Sequence, residues 1–314
     1  MSARIIEMQS FSASDAAIAG FRFIRDRPRV MLFWIGAFVV FELVWGTLLA
    51  VLAGSDIAKF DHFRELINTD IMAALAMLPG VAVVLLVGLV GRVGFLAVMF
   101  CAAYRAMLFP DDPRLGFIRF GRDEVRMAGV IALWWVLVVG YAFSLLFLFF
   151  LLSVMGAALP GIVRVIYLAL IVVALLCAIA WPLVRLSMSM PLTLTSHHFH
   201  IFDSWKLTRG HFWPLFGAYA IMVVLVVVLA IASAIGLGVI TAAVMVATGG
   251  STEGVFGLFS ADASTITTRI SAASVLSVLI QAPIGAASLA VFVGPFASAY
   301  KAMSPPEPRP LPHA

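Results

Sequence analysis

The chain has 314 residues, of which 63% are hydrophobic and 11% charged, with a formal net charge of +4 at pH 7. Soluble domains are about half apolar and a quarter charged, so this composition excludes an ordinary water-soluble domain. The apolar runs are long and unbroken, which excludes the alternating segments of a membrane β-barrel. An all-α integral membrane bundle of six helices is predicted instead, because helices satisfy their own backbone groups in lipid.

In chain order, the first 29 residues lack a compact apolar core with a small-residue cleavage site, so no cleavable signal is expected. A short amphipathic helix is expected here. Ser14 is its N-cap and Asp15 sits in its first turn. Ala17, Phe21 and Ile24 share one face, and Arg22, Arg25 and Arg29 another. The first span is Val30–Ala53 and carries Glu42. The next connection is acidic on balance, with Asp56, Asp61, Glu65 and Asp70 against Lys59 and Arg64.

The second span, Ile71–Met107, holds Pro79 and Arg92. Gly80, Gly88, Gly91 and Gly94 are expected to let neighbouring helices approach. The following connection carries Arg119, Arg122 and Arg126, with Asp123 and Glu124 beside them. Spans three and four are Met127–Met155 and Ile162–Met190, the latter with Pro182. The fourth connection collects His197, His198, His200, His211 and Asp203. Phe199, Phe202 and Trp205 form an apolar stripe there, with Lys206 and Arg209 alongside. Span five is Trp213–Ala247, with Gly236 and Gly238 expected at a helix contact. A Gly/Ser/Thr-rich loop from Gly249 to Ser264, read as mobile, leads to span six, Ile270–Met303, with Pro283 and Pro295. Each proline is expected to bend its helix. The proline-rich tail, residues 305–314, cannot be helical.

Basic residues collect on the N-terminal segment, the second and fourth connections and the tail, so both termini are expected in the cytoplasm of a bacterial inner membrane. Cations recur at i and i+3 before spans one, three and five. Tyr104-Arg105-Ala106-Met107 is echoed by Tyr300-Lys301-Ala302-Met303. Both patterns predict three repeats of an interfacial helix and two spans, over about residues 12–108, 112–192 and 196–304 of a single membrane domain. The eight cations Arg22, Arg25, Arg29, Arg119, Arg122, Arg126, Lys206 and Arg209 either meet anionic lipid headgroups or serve as plain interfacial anchors.

Glu42 and Arg92 each lie 13 residues inside a cationic end, Arg29 and Arg105 respectively. At about 1.5 Å per residue both are about 20 Å deep, so they are expected to pair. The pair is either a clamp on helix register or a substrate or proton site. The histidines lack the i, i+4 spacing of a helical metal site, and their cluster is read as an exposed turn. Cys101 and Cys177 fall in apolar runs and are expected as small buried hydrophobes. No nucleotide, zinc or nucleophile motif occurs in the sequence. Hence no catalytic residue, metal or cofactor is expected, and the charge pattern does not fit nucleic acid as a partner.

The stretch Phe202-Asp203-Ser204-Trp205-Lys206-Leu207-Thr208-Arg209-Gly210-His211-Phe212-Trp213-Pro214-Leu215-Phe216 resembles the membrane domain that precedes some glycerophosphoryl diester phosphodiesterases, and related stand-alone six-span bacterial proteins. The similarity is best over residues 196–230, and the soluble phosphodiesterase domain with its metal ligands is missing. The resemblance implies a six-helix inner-membrane protein with a lipid-related accessory role and no hydrolase activity. A non-enzymatic component binding lipid or an unidentified membrane partner is the first expectation. A small-solute or lipid transporter using Glu42 and Arg92 is the alternative, although the odd spans lack the Pro-x-acid-x-x-basic motif of mitochondrial-type carriers.

Overall fold

A computed structural model describes residues 12–53, 56–110, 114–248 and 272–304. The Gly/Ser/Thr-rich loop at 249–264 and the tail at 305–314 lie outside the described residues.

Among the described residues the regular structure is entirely helical. Six helices are long and apolar enough to cross a bilayer, so the chain is a multi-pass membrane protein. They are α3 (Pro28–Ala53), α5 (Ile71–Leu108), α6 (Arg122–Met155), α7 (Gly161–Leu186), α10 (Phe212–Thr248) and α11 (Ala272–Met303). Their bounds follow the apolar runs because lipid rewards burial of backbone groups within each helix. Pro79, Pro182, Pro283 and Pro295 all lie inside these helices. At 38 residues α5 is about 57 Å long, well beyond one hydrocarbon thickness. Its excess pairs with an unanticipated helix, α4 (Asp56–Thr69), through buried Phe63, Ala74 and Val81.

The core lies towards the basic ends of the spans. Trp34, Met99, Tyr104, Phe117 and Met127 are fully buried there. Further along, the spans turn most of their large apolar side chains outwards, as a lipid solvent permits.

The segments preceding spans one, three and five do not share one shape. Before α3 the chain forms α1 (Ala13–Ala17) and α2 (Ala19–Asp26). The N-cap is Ser12, not Ser14: its hydroxyl accepts from the Asp15 amide at 3.3 Å. Asp15 then pairs with Arg22 at 2.6 Å. The expected apolar face also differs. Ala16, Ala17 and Gly20 are buried whereas Phe21 is exposed, because α2 packs its Gly20 side against α11. Gly20 and Gly294 cross so closely that a Cβ at either would strike the other helix's backbone.

Arg29 does not continue the face of Arg22 and Arg25, because the helix breaks at Arg27 (φ −130°, ψ 59°). Before α6, a single turn (Arg114–Phe117) passes through left-handed backbone at Leu115, Gly116 and Phe117. Arg119 follows in non-helical chain and α6 begins only at Arg122, so Arg119, Arg122 and Arg126 do not share one helical face. Before α10 stands α9 (Asp203–Leu207), which includes Lys206 but ends before Arg209.

Two other expectations change. Cys101 is buried but Cys177 is exposed on the outer face of α7. Gly91 receives the Trp45 ring, whereas Gly80, Gly94, Gly236 and Gly238 have open space where a Cβ would stand.

Candidate functional site

The site is assembled at the basic ends of α5 and α6. Arg105 closes α5, and α6 opens with Asp123 and Glu124 in its first turn. Carboxylates are favourable at a helix N-terminus and cations at a C-terminus, so the two ends attract. Arg105 donates to Glu124 Oε1 at 2.5 Å and to Asp123 Oδ2 at 3.3 Å. The Arg105 and Glu124 side chains are only 13% and 7% exposed, so loss of Arg105 would strand the Glu124 charge, whereas Arg105 without Glu124 keeps Asp123. Asp123 Oδ1 also accepts from Arg126 at 2.8 Å and meets His197 Nδ1 at 2.9 Å.

His197 reaches this position from the far end of α8 (Ser189–Ser196), as its left-handed C-cap residue (φ 55°). The connecting loop is held by Trp34, whose buried indole N–H donates to the Gly116 carbonyl at 2.9 Å. A Cβ on Gly116 would meet Phe33, so the turn needs glycine both for space and for its positive φ.

These elements enclose a cleft of about 830 Å³. Arg105, Arg119, Arg122 and Arg126 line it with Asp123 and Glu124, leaving an excess of two positive charges. Gly121 is the N-cap of α6 and has no side chain to occupy the helix N-terminus, where peptide N–H groups favour an anion. Phe120, Gly121 and Glu124 also line a second cavity, a groove of about 700 Å³ between α3, α5 and α6. Its walls are apolar, among them Val40, Val44, Phe95 and Val98, with Gly91 and Gly94 at its side. From Gly91 to Met99 it runs about 12 Å along the helices. A polar, cationic cleft therefore shares three lining residues with an apolar groove on the flank of the bundle, where Val40 and Val44 are exposed.

Glu42 and Arg92 meet as expected. Arg92 Nη1 donates to Glu42 Oε1 and Nη2 to Oε2 at 3.3 Å, a two-pronged pair between α3 and α5. The Arg92 guanidinium also sits 5.7 Å from the Phe41 ring centre, and Phe41 stacks on Phe95 at 4.0 Å. With 56% of Arg92 and 33% of Glu42 exposed, the pair lies on the flank of the bundle.

The remaining sequence-selected residues separate. Arg22, Arg25 and Arg29 are exposed around α2 and the start of α3. Arg25 pairs with Asp26 at 2.9 Å. Lys206 pairs with Asp203 at 2.9 Å, and Arg209 is exposed beyond α9. The Lys206 ammonium and then His200 hold the exposed Asp203 carboxyl below its ordinary range, and Asp203 in turn raises Lys206. The histidines do not converge: His197 faces Asp123, His198 meets the Ser196 carbonyl at 2.8 Å, and His200 meets Asp203 at 2.6 Å.

The Ser-Trp-Lys-Leu-Thr segment acquires a structural task. Ser204 donates to the Arg185 carbonyl at 2.7 Å and accepts from the Met188 amide at 3.0 Å. It thus bridges the break between α7 and α8. Trp205 meets Trp181 edge-to-face at 4.7 Å, and Thr208 donates to the Ser204 carbonyl at 2.9 Å.

No family model, curated protein or solved structure matches this chain.

Proposed function

We propose that this protein is a non-enzymatic phospholipid-binding component of a bacterial inner membrane, with the arginine cleft on the cytoplasmic side. The lipid phosphate rests among Arg119, Arg122, Arg126 and the open N-terminus of α6. One acyl chain enters the groove beside Gly94. The observation that carries this reading is that the two cavities adjoin, sharing Phe120, Gly121 and Glu124 as lining residues. A free anion would use the cleft alone, whereas an amphiphile uses both. The excess of basic residues at this end supports the cytoplasmic orientation, and the resemblance of residues 202–216 to a phosphodiesterase membrane domain supports the lipid connection. The Glu42–Arg92 pair acts as a clamp on α3 and α5, since each charge is satisfied by the other.

Native mass spectrometry of the detergent-solubilised chain, titrated with dioleoyl phosphatidylglycerol, tests this function. Each interfacial cation adds about 1 kcal/mol of attraction, so R119S/R122S should weaken binding by roughly thirtyfold. Equal binding by wild type and variant would remove the cleft as the headgroup site.

A further inference from the structure

The two acids of the cleft are not equivalent. Asp123 is fully engaged by Arg105, Arg126 and His197. Glu124 is only 6% exposed, and its Oε1 is held by Arg105, yet its Oε2 is buried with no donor. A buried carboxylate oxygen left unpaired is costly, and such an atom in an otherwise paired network points to a missing partner. Oε2 lies beneath Gly121, where a Cβ would stand 3.4 Å from it. Both residues line the cleft and the groove. The terminal carboxylate torsion of glutamate is broad, so a small rotation presents Oε2 to the cleft while Oε1 stays near Arg105.

Building on the phospholipid reading, we infer that the cleft takes an aminophospholipid, its phosphate on the arginines and its primary ammonium on Glu124 Oε2. The arrangement of charge matches such a headgroup. Guanidiniums line the cleft, and a single unfilled carboxylate oxygen belongs to a residue that lines both the cleft and the groove. A primary ammonium carries three N–H donors. A choline headgroup has the same net charge and no N–H donor, and a glycerol headgroup offers only a neutral hydroxyl.

The test is native mass spectrometry of the full chain in detergent with dioleoyl phosphatidylethanolamine, phosphatidylcholine and phosphatidylglycerol added separately. Wild type should bind the ethanolamine lipid about tenfold more tightly than the choline lipid, the scale of one charge-assisted hydrogen bond. Glu124→Gln should abolish that preference. Equal affinity of wild type for the ethanolamine and choline lipids overturns the inference, and this arm needs no variant. So does an unchanged preference in Glu124→Gln. If wild type binds the glycerol lipid and shows no ethanolamine preference, only the amine assignment fails. If none of the three lipids binds, the phospholipid reading fails with it.

Discussion

Gly91 and Gly94 are three residues apart on α5, and the groove makes opposite demands on them. A Cβ on Gly91 would press into the Trp45 indole, at atoms of its six-membered ring. Overpacking of that kind costs about 1–3 kcal/mol, and the better helix propensity of alanine returns about 1 kcal/mol. Gly91→Ala should therefore destabilise by about 1 kcal/mol. A Cβ on Gly94 meets nothing within 4 Å, because that position faces the groove. Gly94→Leu should leave the bundle as stable as wild type or slightly better. Its side chain should instead displace a bound acyl chain. On the order of ten atom contacts of about 0.1–0.2 kcal/mol are lost, or about 1–2 kcal/mol, a five- to thirtyfold weaker lipid affinity by rough conversion. The assay pairs thermal unfolding in detergent with the phospholipid retained after purification. The reasoning is refuted if Gly94→Leu retains as much phospholipid as wild type, or if it unfolds earlier than Gly91→Ala.

Arg92→Met strands Glu42 and should cost about 2–3 kcal/mol, while E42Q/R92M should recover most of that loss in a double-mutant cycle. A double variant no more stable than Arg92→Met would rule out the clamp. Gly20→Ala should lift α2 from α11, because the added methyl meets the backbone at Ala290 and Val291. Hydrogen exchange of residues 13–26 should rise, and unchanged exchange would contradict the close crossing. At the exposed Asp203, a carboxyl held below its ordinary range favours the folded state above the unfolded pKa of about 3.9, and that contribution fades as pH falls through the depressed folded value. Lys206→Ala should therefore move the Asp203 carboxyl titration upwards in NMR. A titration that stays in place would exclude Lys206 as its main partner.

Much of the bundle was legible because the bilayer reads hydropathy directly: each span is an apolar run, and the bounds of α3 and α5 follow from composition. The Glu42–Arg92 pair was legible from depth alone, since both residues lie 13 positions from a basic end. The segments joining the spans were not. Three recurrences of cations at i and i+3 pointed to three like helices, but spacing does not report a break at Arg27 or a left-handed run at Leu115–Phe117. Those turns depend on tertiary contacts such as Trp34 with Gly116. The Arg105–Glu124 pair at the heart of the cleft also escaped. A usable signal existed in the basic last turn of α5 and the acidic first turn of α6, but which helix ends meet is settled by the bundle. Ser204 in the Ser-Trp segment stood out as a pattern, yet its role needed the α7–α8 break to be visible.

Phospholipid occupancy of the groove is read most directly by photo-crosslinking in vesicles, using a phosphatidylethanolamine with a diazirine on one acyl chain. Peptide mapping should find the label concentrated on the half-buried groove residues Phe95, Val98 and Ala128, and R119S/R122S should remove that enrichment. Label spread evenly over outward-facing positions such as Leu170 and Leu176, unchanged in the variant, would contradict a built lipid site.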